Sequence, residues 1–90
     1  MKIVINIIGV EIKLNQPISL EPASTALKDV LRALKERDKG ELRRFVGDDL
    51  EPVDCSVILV NGRNMLSLDR GETQIHDGDE ITFMVPVAGG

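Results

Sequence analysis

A single helical pattern, placed between stretches of β-branched residues, most constrains the fold of this chain. Its apolar residues recur at the spacing that places side chains on one face of an amphipathic helix, namely Leu27, Val30, Leu31 and Leu34. Residues 2–8 before it and residues 80–85 after it alternate in the way that half-buried strands do. A chain of 90 residues has room for one core. We therefore expect a two-layer α+β domain in which a mixed sheet packs on one main helix.

Local sequence signals indicate where the predicted strands and the helix begin and end. Gly9-Val10 can reverse the chain into a second strand, which reaches residue 20 and is interrupted by Pro17, a residue typical of edge strands. Ser24 or Thr25 is placed to cap the helix, and Gly40 is placed to close it. Residues 41–55 are polar and acidic, and we interpret them as a loop.

The later strands are bounded by turns. Residues 57–60 form a continuous apolar run, typical of a central strand that is covered on both faces. Asn61-Gly62 ends this strand with a strong hairpin signal, and residues 63–76 are weakly patterned. Asp77-Gly78-Asp79 is a second turn, which leads into the last strand. We expect the first and last strands to be central and parallel, which is the β-grasp arrangement. The predicted core contains Ile3, Ile5, Leu27, Val30, Leu31, Leu34, either Val57 or Leu59, Ile81 and Phe83.

Composition excludes several classes of function. The net charge is −4 and aromatic residues make up 2%, which disfavours a nucleic-acid partner. No apolar run approaches the length of a membrane span, and the first residues enter a strand without a leader, so we expect a cytoplasmic protein and no membrane partner. The charge is uneven, since residues 45–90 hold two basic and nine acidic residues. We expect that half to favour a basic partner surface.

Candidate catalytic residues are few. His76 lies among turn residues, where a solvated or capping histidine is the simplest interpretation. Asp77, Asp79 and Glu80 are too few oxygens for calcium, so we predict no metal site and no resident cofactor. Cys55 is the only cysteine, and we interpret it as a packing residue beside an apolar strand. We expect no active site and therefore no enzyme.

The last five residues have a composition that is unusual for a frayed end. They are small, apolar or glycine, in the order Pro86, Val87, Ala88, Gly89 and Gly90. Proline biases the preceding residue to an extended conformation, and two glycines can enter a narrow channel. We therefore divide the chain into a domain over residues 1–85 and an extended tail over residues 86–90, and we expect the Gly90 carboxylate to be a substrate.

These features resemble the ubiquitin-like sulfur carrier superfamily. The resemblance rests on Val60-Asn61-Gly62 closing a strand, residues 77–80 opening the last strand, and the Pro-Val-Ala-Gly-Gly ending. Members include the small subunit of molybdopterin synthase, the thiamine-pathway carrier, a cysteine-pathway carrier and archaeal protein modifiers. The ending is most similar to the molybdopterin synthase small subunit, whereas the short first hairpin looks more like the thiamine carrier.

The resemblance implies a function and a set of partners. An ATP-dependent activating enzyme of the ubiquitin-activating type would adenylate Gly90, and a sulfur donor protein would convert it to a thiocarboxylate. In molybdopterin synthesis the sulfur then passes to a precursor held by the large catalytic subunit. The alternatives are sulfur transfer in thiamine or cysteine synthesis, or attachment of Gly90 to lysines of other proteins. A plain interaction domain is disfavoured, because it has no need of a free Gly-Gly end.

The strand pattern also predicts a docking face. If residues 81, 83 and 85 point toward the helix, Met84 lies on the opposite face of the sheet, near Ile8 and Val4 of the first strand. An apolar patch beside the tail is typical of an interface, because methionine adapts to contact surfaces. The competing interpretation is that residues 41–55 fold over this patch and bury it.

Overall fold

The computed structural model describes residues 1–8, 13–19, 24–37, 42, 45–53 and 56–84. Its strands and its α-helix follow in the order β1 (Lys2–Ile8), β2 (Lys13–Ser19), β3 (Ser24–Ala26), α1 (Leu27–Arg37), β4 (Val57–Val60), β5 (Arg63–Asn64), β6 (Gln74–His76) and β7 (Glu80–Met84). Two short 3₁₀ turns, Met65–Ser67 and Arg70–Glu72, lie between β5 and β6.

The first and last strands form the centre of a five-stranded sheet. The strand order is β2-β1-β7-β4-β5, and β1 runs parallel to β7 while every other neighbouring pair is antiparallel. The strands β3 and β6 form a separate two-stranded sheet. This mixed sheet on one main helix confirms the predicted β-grasp arrangement.

The core lies between α1 and one face of the sheet. On the helix, Leu27, Val30 and Leu31 are fully buried and Leu34 is nearly so. The sheet contributes alternate residues of its three central strands, namely Ile3, Ile5, Ile7, Ile58, Val60, Ile81 and Phe83. Both periodicities in the sequence therefore converge on a single buried layer, as predicted.

The prediction for β4 was wrong in its choice of face. Ile58 and Val60 are buried, whereas Val57 and Leu59, the residues expected in the core, are only half-buried on the other face. The continuous apolar run suggested a strand covered on both sides. In a two-layer domain the helix α1 covers one face of the sheet, so the second face of β4 has no layer of described residues over it.

The entry to the helix also differs from the prediction. Ser24 and Thr25 belong to the strand β3 (Ser24–Ala26), which pairs antiparallel with β6, so neither is the residue directly before α1. The Thr25 hydroxyl donates to the Asp29 carboxylate at 3.0 Å, one turn into the helix. The Leu27 amide donates to the Thr73 carbonyl at 2.7 Å, so an amide at the helix start is satisfied by a distant segment. The predicted stop at Gly40 lies outside the described residues.

Strand β2 forms one edge of the sheet, as its proline predicts. Pro17 does not interrupt the strand, however, because β2 continues on both sides of it and Pro17 pairs with Val4. An edge strand has one side without a ladder partner, where the missing N–H costs nothing. The predicted reversal at Gly9-Val10 lies outside the described residues.

Both predicted turns are present. Asn61 and Gly62 have φ values of 51° and 83°, the pair of positive values that a type I′ hairpin requires between β4 and β5. Gly78 has a φ of 89° in the turn before β7. No helix in the described part of the chain has the length and hydropathy that a membrane span requires.

Candidate docking face beside the last strand

The face of the large sheet opposite α1 is here called the outer face. It is formed by the side chains that alternate with the core residues of β1, β7 and β4, and these are Val4, Asn6, Ile8, Glu80, Thr82, Met84, Val57 and Leu59. The register of the strands arranges these residues in rows that cross the sheet. The rows differ in chemistry from one end of β7 to the other.

The row at the carboxyl end of β7 is apolar. Met84 pairs with Ile8 of β1 on one side and with Val57 of β4 on the other. Met84 and Val57 are half-buried, and Ile8 is 40% exposed. These three residues, called the apolar row below, lie next to the point where the described chain ends.

The next row is polar and internally bonded. The Asn6 side-chain amide donates to the Thr82 hydroxyl at 3.2 Å across the central strand pair. Thr82 is only 8% exposed, so this contact satisfies a polar group that has little access to water. Leu59 pairs with Thr82 from the other side and is half-buried.

Two of the three residues predicted to form the interface are neighbours, and the third is more distant. Ile8 and Met84 are directly paired, as the parallel arrangement predicts. Val4 is on the same face but pairs with Glu80, four residues before Met84 along β7. Four residues of strand span about 13 Å, so Val4 lies at the opposite end of the outer face. The interface role of all three residues stays a prediction.

Val57 is the residue of the apolar row that the sequence analysis did not identify. An apolar run of four residues carries no alternation, so its two faces cannot be told apart by periodicity. The turn that follows the run offered a usable signal. Asn61-Gly62 is a hairpin signal and so indicates an antiparallel partner for β4, which β5 is. Antiparallel sheets commonly have one face packed on the core and the other face solvated.

The described part of residues 41–55 does not cover the outer face. Phe45 is buried on the helix side, where its ring centroid lies 6.2 Å from that of Phe83. The Lys35 ammonium of α1 donates to the Gly47 carbonyl at 2.8 Å, which holds the segment against the helix. The competing interpretation, in which this segment buries the docking patch, does not fit the placement of residues 45–53.

The acidic residues of the last turn hold strands together. Asp79 accepts hydrogen bonds from the His76 amide at 2.7 Å and from the Asn61 side chain at 3.1 Å. Asp77 accepts from the Lys2 amide at 2.6 Å. The His76 side chain is exposed, and its Nδ1 lies 3.9 Å from the Asp79 carboxylate. These contacts agree with the interpretation of Asp77-Gly78-Asp79 as a turn, and His76 is the last residue of β6 before it. Among the described residues, no three acidic, histidine or cysteine side chains are grouped as a metal site requires.

The other acidic loop is solvated or paired with basic side chains. Asp48 is fully exposed with its carboxylate 3.4 Å from the Lys35 ammonium. Glu51 lies 3.9 Å from the Arg70 guanidinium. This loop therefore offers no unpaired charge cluster in its described part.

The remaining predicted site residues lie outside the described part of the chain. They are Cys55, Val85 and the five tail residues, Pro86, Val87, Ala88, Gly89 and Gly90. The boundary between domain and tail falls among them. Their roles stay predictions, and the described structure contributes the sheet end and the apolar row beside Met84.

Comparison with known proteins identifies relatives of the same size. The chain is 39% identical over 62 residues to small archaeal modifier protein 3 of Haloferax volcanii, a match that covers 69% of this chain and 66%, just under two thirds, of that protein. It is 38% identical over 80 residues to a protein of Archaeoglobus fulgidus that is provisionally named a sulfur carrier, covering 89% of this chain and 76% of the relative.

Solved structures share the fold. The solution structure of small archaeal modifier protein 1 from Methanosarcina acetivorans has a TM-score of 0.71 and 27% identity over 99% of this chain and 96% of that one. The crystal structure of the Haloferax volcanii modifier protein 1 has a TM-score of 0.73 and 24% identity over both whole chains. A chain from the complex of subunits 1 and 2 of the molybdopterin-converting factor of Helicobacter pylori has a TM-score of 0.65 and 24% identity, again over both whole chains.

The family model with the description "ThiS family" matches residues 5–90. The match includes the second half of β1, the other four strands of the large sheet, the helix and the Gly-Gly ending. Together with the β-grasp fold and the identity to small carrier and modifier proteins, it establishes the family. The chain belongs to the ThiS family of ubiquitin-like sulfur carriers and protein modifiers.

Proposed function

We propose that this chain is a sulfur carrier, in which the carboxylate of Gly90 is adenylated and then converted to a thiocarboxylate that donates sulfur. The observation that carries the proposal is the ThiS family match, which runs through residue 90 and so includes Gly89 and Gly90. The relative from Archaeoglobus fulgidus that bears a sulfur-carrier name supports the same chemistry.

The chemistry divides between this chain and its partners. A carboxylate resists nucleophilic attack, because resonance and negative charge make its carbon a poor electrophile. An activating enzyme uses ATP to form the Gly90 acyl-adenylate, and AMP then leaves when a sulfur donor protein delivers sulfur to the acyl carbon. The chain contributes the carboxylate and a docking surface. The catalytic side chains belong to its partners, so the chain is a carrier with no cofactor of its own.

The outer face is the proposed docking surface for the activating enzyme and the sulfur acceptor. The apolar row lies at the end of β7 that leads into the tail, so a partner that covers Met84 and Ile8 also receives Gly90. Gly90 is the sixth residue after Met84, and six steps of extended chain span about 20 Å. This distance is long enough to place the carboxylate inside a partner's active site.

The specific pathway we propose is molybdenum cofactor biosynthesis. The chain would act there as the small subunit of molybdopterin synthase, bound to the large catalytic subunit in the cytoplasm. The Pro-Val-Ala-Gly-Gly ending and the fold shared with a chain of the Helicobacter pylori molybdopterin-converting factor complex support this choice. Sulfur transfer in thiamine or cysteine synthesis requires the same tail chemistry and is the alternative pathway.

A second candidate function is protein modification. The observation in its favour is the 39% identity to small archaeal modifier protein 3. A modifier would use the same Gly90 adenylate but pass the acyl group to a lysine amine, which forms an isopeptide bond. The two functions therefore share the adenylation of Gly90. They differ in the group that then attacks the acyl carbon, which is a sulfur donor in one case and a lysine amine in the other.

Reconstitution with a cognate activating enzyme, ATP and a sulfur donor tests the proposal. The intact mass of the chain should rise by one oxygen-to-sulfur exchange, located at Gly90 by fragmentation. Deletion of Gly90 shortens the reach by about 3.5 Å and should abolish charging, because small displacements of a reacting group cost about a hundredfold in rate. Cys55→Ser is the matched control and should be charged normally.

The outcomes separate the candidates. A thiocarboxylate on the intact chain, absent from the truncated chain, supports the sulfur carrier. Recovery of the tail joined to lysines of other proteins, with no thiocarboxylate, supports the modifier. Charging that survives deletion of Gly90 but fails in the Cys55 variant would overturn both, since the thiol would then be the reactive group.

A further inference from the structure

The Asn61-Gly62 turn connects two strands, and its sequence also makes the Asn61 side chain chemically reactive. An asparagine side chain can be attacked by the backbone nitrogen of the following residue, and a glycine in that position presents no Cβ to obstruct the approach. Gly62 is exposed, and a Cβ built on it would meet nothing within 4 Å. Asn61 is also exposed. Water therefore reaches both residues of the turn.

The side-chain amide of Asn61 is held in a polarising environment. Its Oδ1 accepts a hydrogen bond from the Glu80 backbone amide at 2.9 Å, and its Nδ2 donates to the Asp79 carboxylate at 3.1 Å. The Asn61 backbone amide adds a bond to the Glu80 carbonyl at 2.8 Å. A backbone N–H aimed at a carbonyl oxygen stabilises the negative charge that develops there when a nucleophile adds to the carbon.

We propose that Asn61 is a spontaneous modification site, at which the Gly62 nitrogen displaces ammonia from the Asn61 side chain. The Gly62 nitrogen forms a bond to Asn61 Cγ and loses its proton, the bond from Cγ to Nδ2 breaks, and Nδ2 leaves as ammonia. The product is a five-membered succinimide. Water then opens the ring at either carbonyl, which leaves aspartate or isoaspartate at position 61. Water is the only co-reactant, and no redox change occurs.

Conversion of Asn61 to aspartate or isoaspartate would remove the hydrogen bond from Asn61 to Asp79, which connects the turn after β4 to the turn before β7. Asn61 donates to Asp79 through Nδ2, and after the reaction that atom is replaced by a carboxylate oxygen. Two carboxylates then face each other at hydrogen-bond distance with no proton between them. Asp79 also accepts a hydrogen bond from the His76 amide. Repulsion between the carboxylates of residues 61 and 79 would therefore disturb the turn that leads into β7. Isoaspartate would in addition lengthen the backbone of a two-residue hairpin.

Mass mapping of the folded, full-length chain after incubation at mildly alkaline pH tests the modification itself. The peptide with Asn61 should gain the mass of an NH₂-to-OH replacement and separate into aspartate and isoaspartate forms. The chain supplies three internal controls that are not followed by glycine, and these are Asn6, Asn15 and Asn64. Conversion at Asn61 should be faster by about tenfold or more, equivalent to ~1.4 kcal/mol of barrier. Equal or slower conversion at Asn61 would overturn the proposal.

A second measurement tests the structural consequence with variants. Asn61→Asp should increase the equilibrium constant for unfolding by about tenfold, the size of the repulsion between two carboxylates in contact in water. Asn64→Asp is the matched control, because it adds the same charge while its Oδ1 can still accept from the Leu66 amide. Asp79→Asn in the Asn61→Asp background should restore stability, since an amide can donate to the new carboxylate. Equal stability of Asn61→Asp and Asn64→Asp would show that residue 61 is not coupled to the turn.

Discussion

Two neighbouring residues of β4 provide the sharpest test of how the sheet is oriented. Ile58 is fully buried against the helix layer and pairs with Phe83, whereas Val57 is half-buried on the outer face beside Met84. The sequence pattern predicted the opposite, with Val57 or Leu59 in the core. Replacement of the buried residue by alanine should cost more stability than replacement of the outer one. The arrangement in the structure therefore predicts the larger loss for Ile58, and the reverse arrangement predicts it for Val57.

The expected costs follow from burial. Ile58→Ala removes most of a fully buried aliphatic side chain and should cost about 2–5 kcal/mol. Val57→Ala removes two half-exposed methyl groups and should cost about 1 kcal/mol or less. A chain of 90 residues has a total stability of about 5–13 kcal/mol, so the Ile58 variant should still fold. Ile58→Val, at about 0.5–1.5 kcal/mol, is a milder variant if it does not.

Far-ultraviolet circular dichroism in urea is the appropriate assay, because the chain has no Trp or Tyr for fluorescence. With a urea m-value of about 2 kcal/mol per molar, Ile58→Ala should lower the unfolding midpoint by about 1–2.5 M. Val57→Ala should lower it by no more than about 0.5 M. Equal shifts, or a larger shift for Val57, would refute the assignment of the outer face.

Three further variants test the docking face, the last turn and an ion pair. Met84→Arg should change stability by no more than about 1 kcal/mol but weaken binding to the activating enzyme by about 2 kcal/mol or more in calorimetric titration, and unchanged affinity would remove Met84 from the interface. Asp79→Ala should cost about 1.5–3 kcal/mol in urea unfolding, because the His76 amide and the Asn61 side chain lose a charged acceptor. The exposed control Asp69→Ala should change stability by no more than about 0.5 kcal/mol. The hydrogen bond and charge of Glu72 raise the pKa of Lys28 above 10.5. Because the folded-state pKa is raised, the stabilisation from this pair is fully present below the ordinary lysine pKa of 10.5 and is lost as the pH rises through the higher folded-state pKa. The urea midpoints of the native chain and Glu72→Gln should therefore converge at high pH, and a constant difference would contradict this pairing.

The fold of the central elements was predictable because its signals are local. The alternation in β1 and β7 placed Ile3, Ile5, Ile81 and Phe83 on one face, and these residues are buried. The spacing within α1 likewise identified its buried face. Periods of two and 3.6 residues are properties of the backbone itself, so a short window of sequence is sufficient to recognise them. The two glycine turns, with Gly62 and Gly78 at positive φ, were predictable for the same reason.

Three features depended on segments that are distant in sequence. Ser24–Ala26 is a strand because Gln74–His76 lies beside it, about fifty positions further along the chain. Phe45 is buried because its ring packs against that of Phe83, which is distant in sequence. The part of the docking face that Val57 forms depends on its pairing with Met84. No local pattern specifies such pairings, since each becomes favourable only when the rest of the fold brings the two segments together.

The sequence by itself determined the class of protein, because the family match and the Gly-Gly ending are linear properties of the chain. It also determined which residues of β1, β7 and α1 are buried. Only the tertiary structure decided which side of the apolar run 57–60 faces outward, and that Val57, rather than Val4, joins Ile8 beside Met84. An apolar side chain is stabilised by burial on either face of a sheet. The position of the single helix decides which face is covered, and that position is a property of the whole fold.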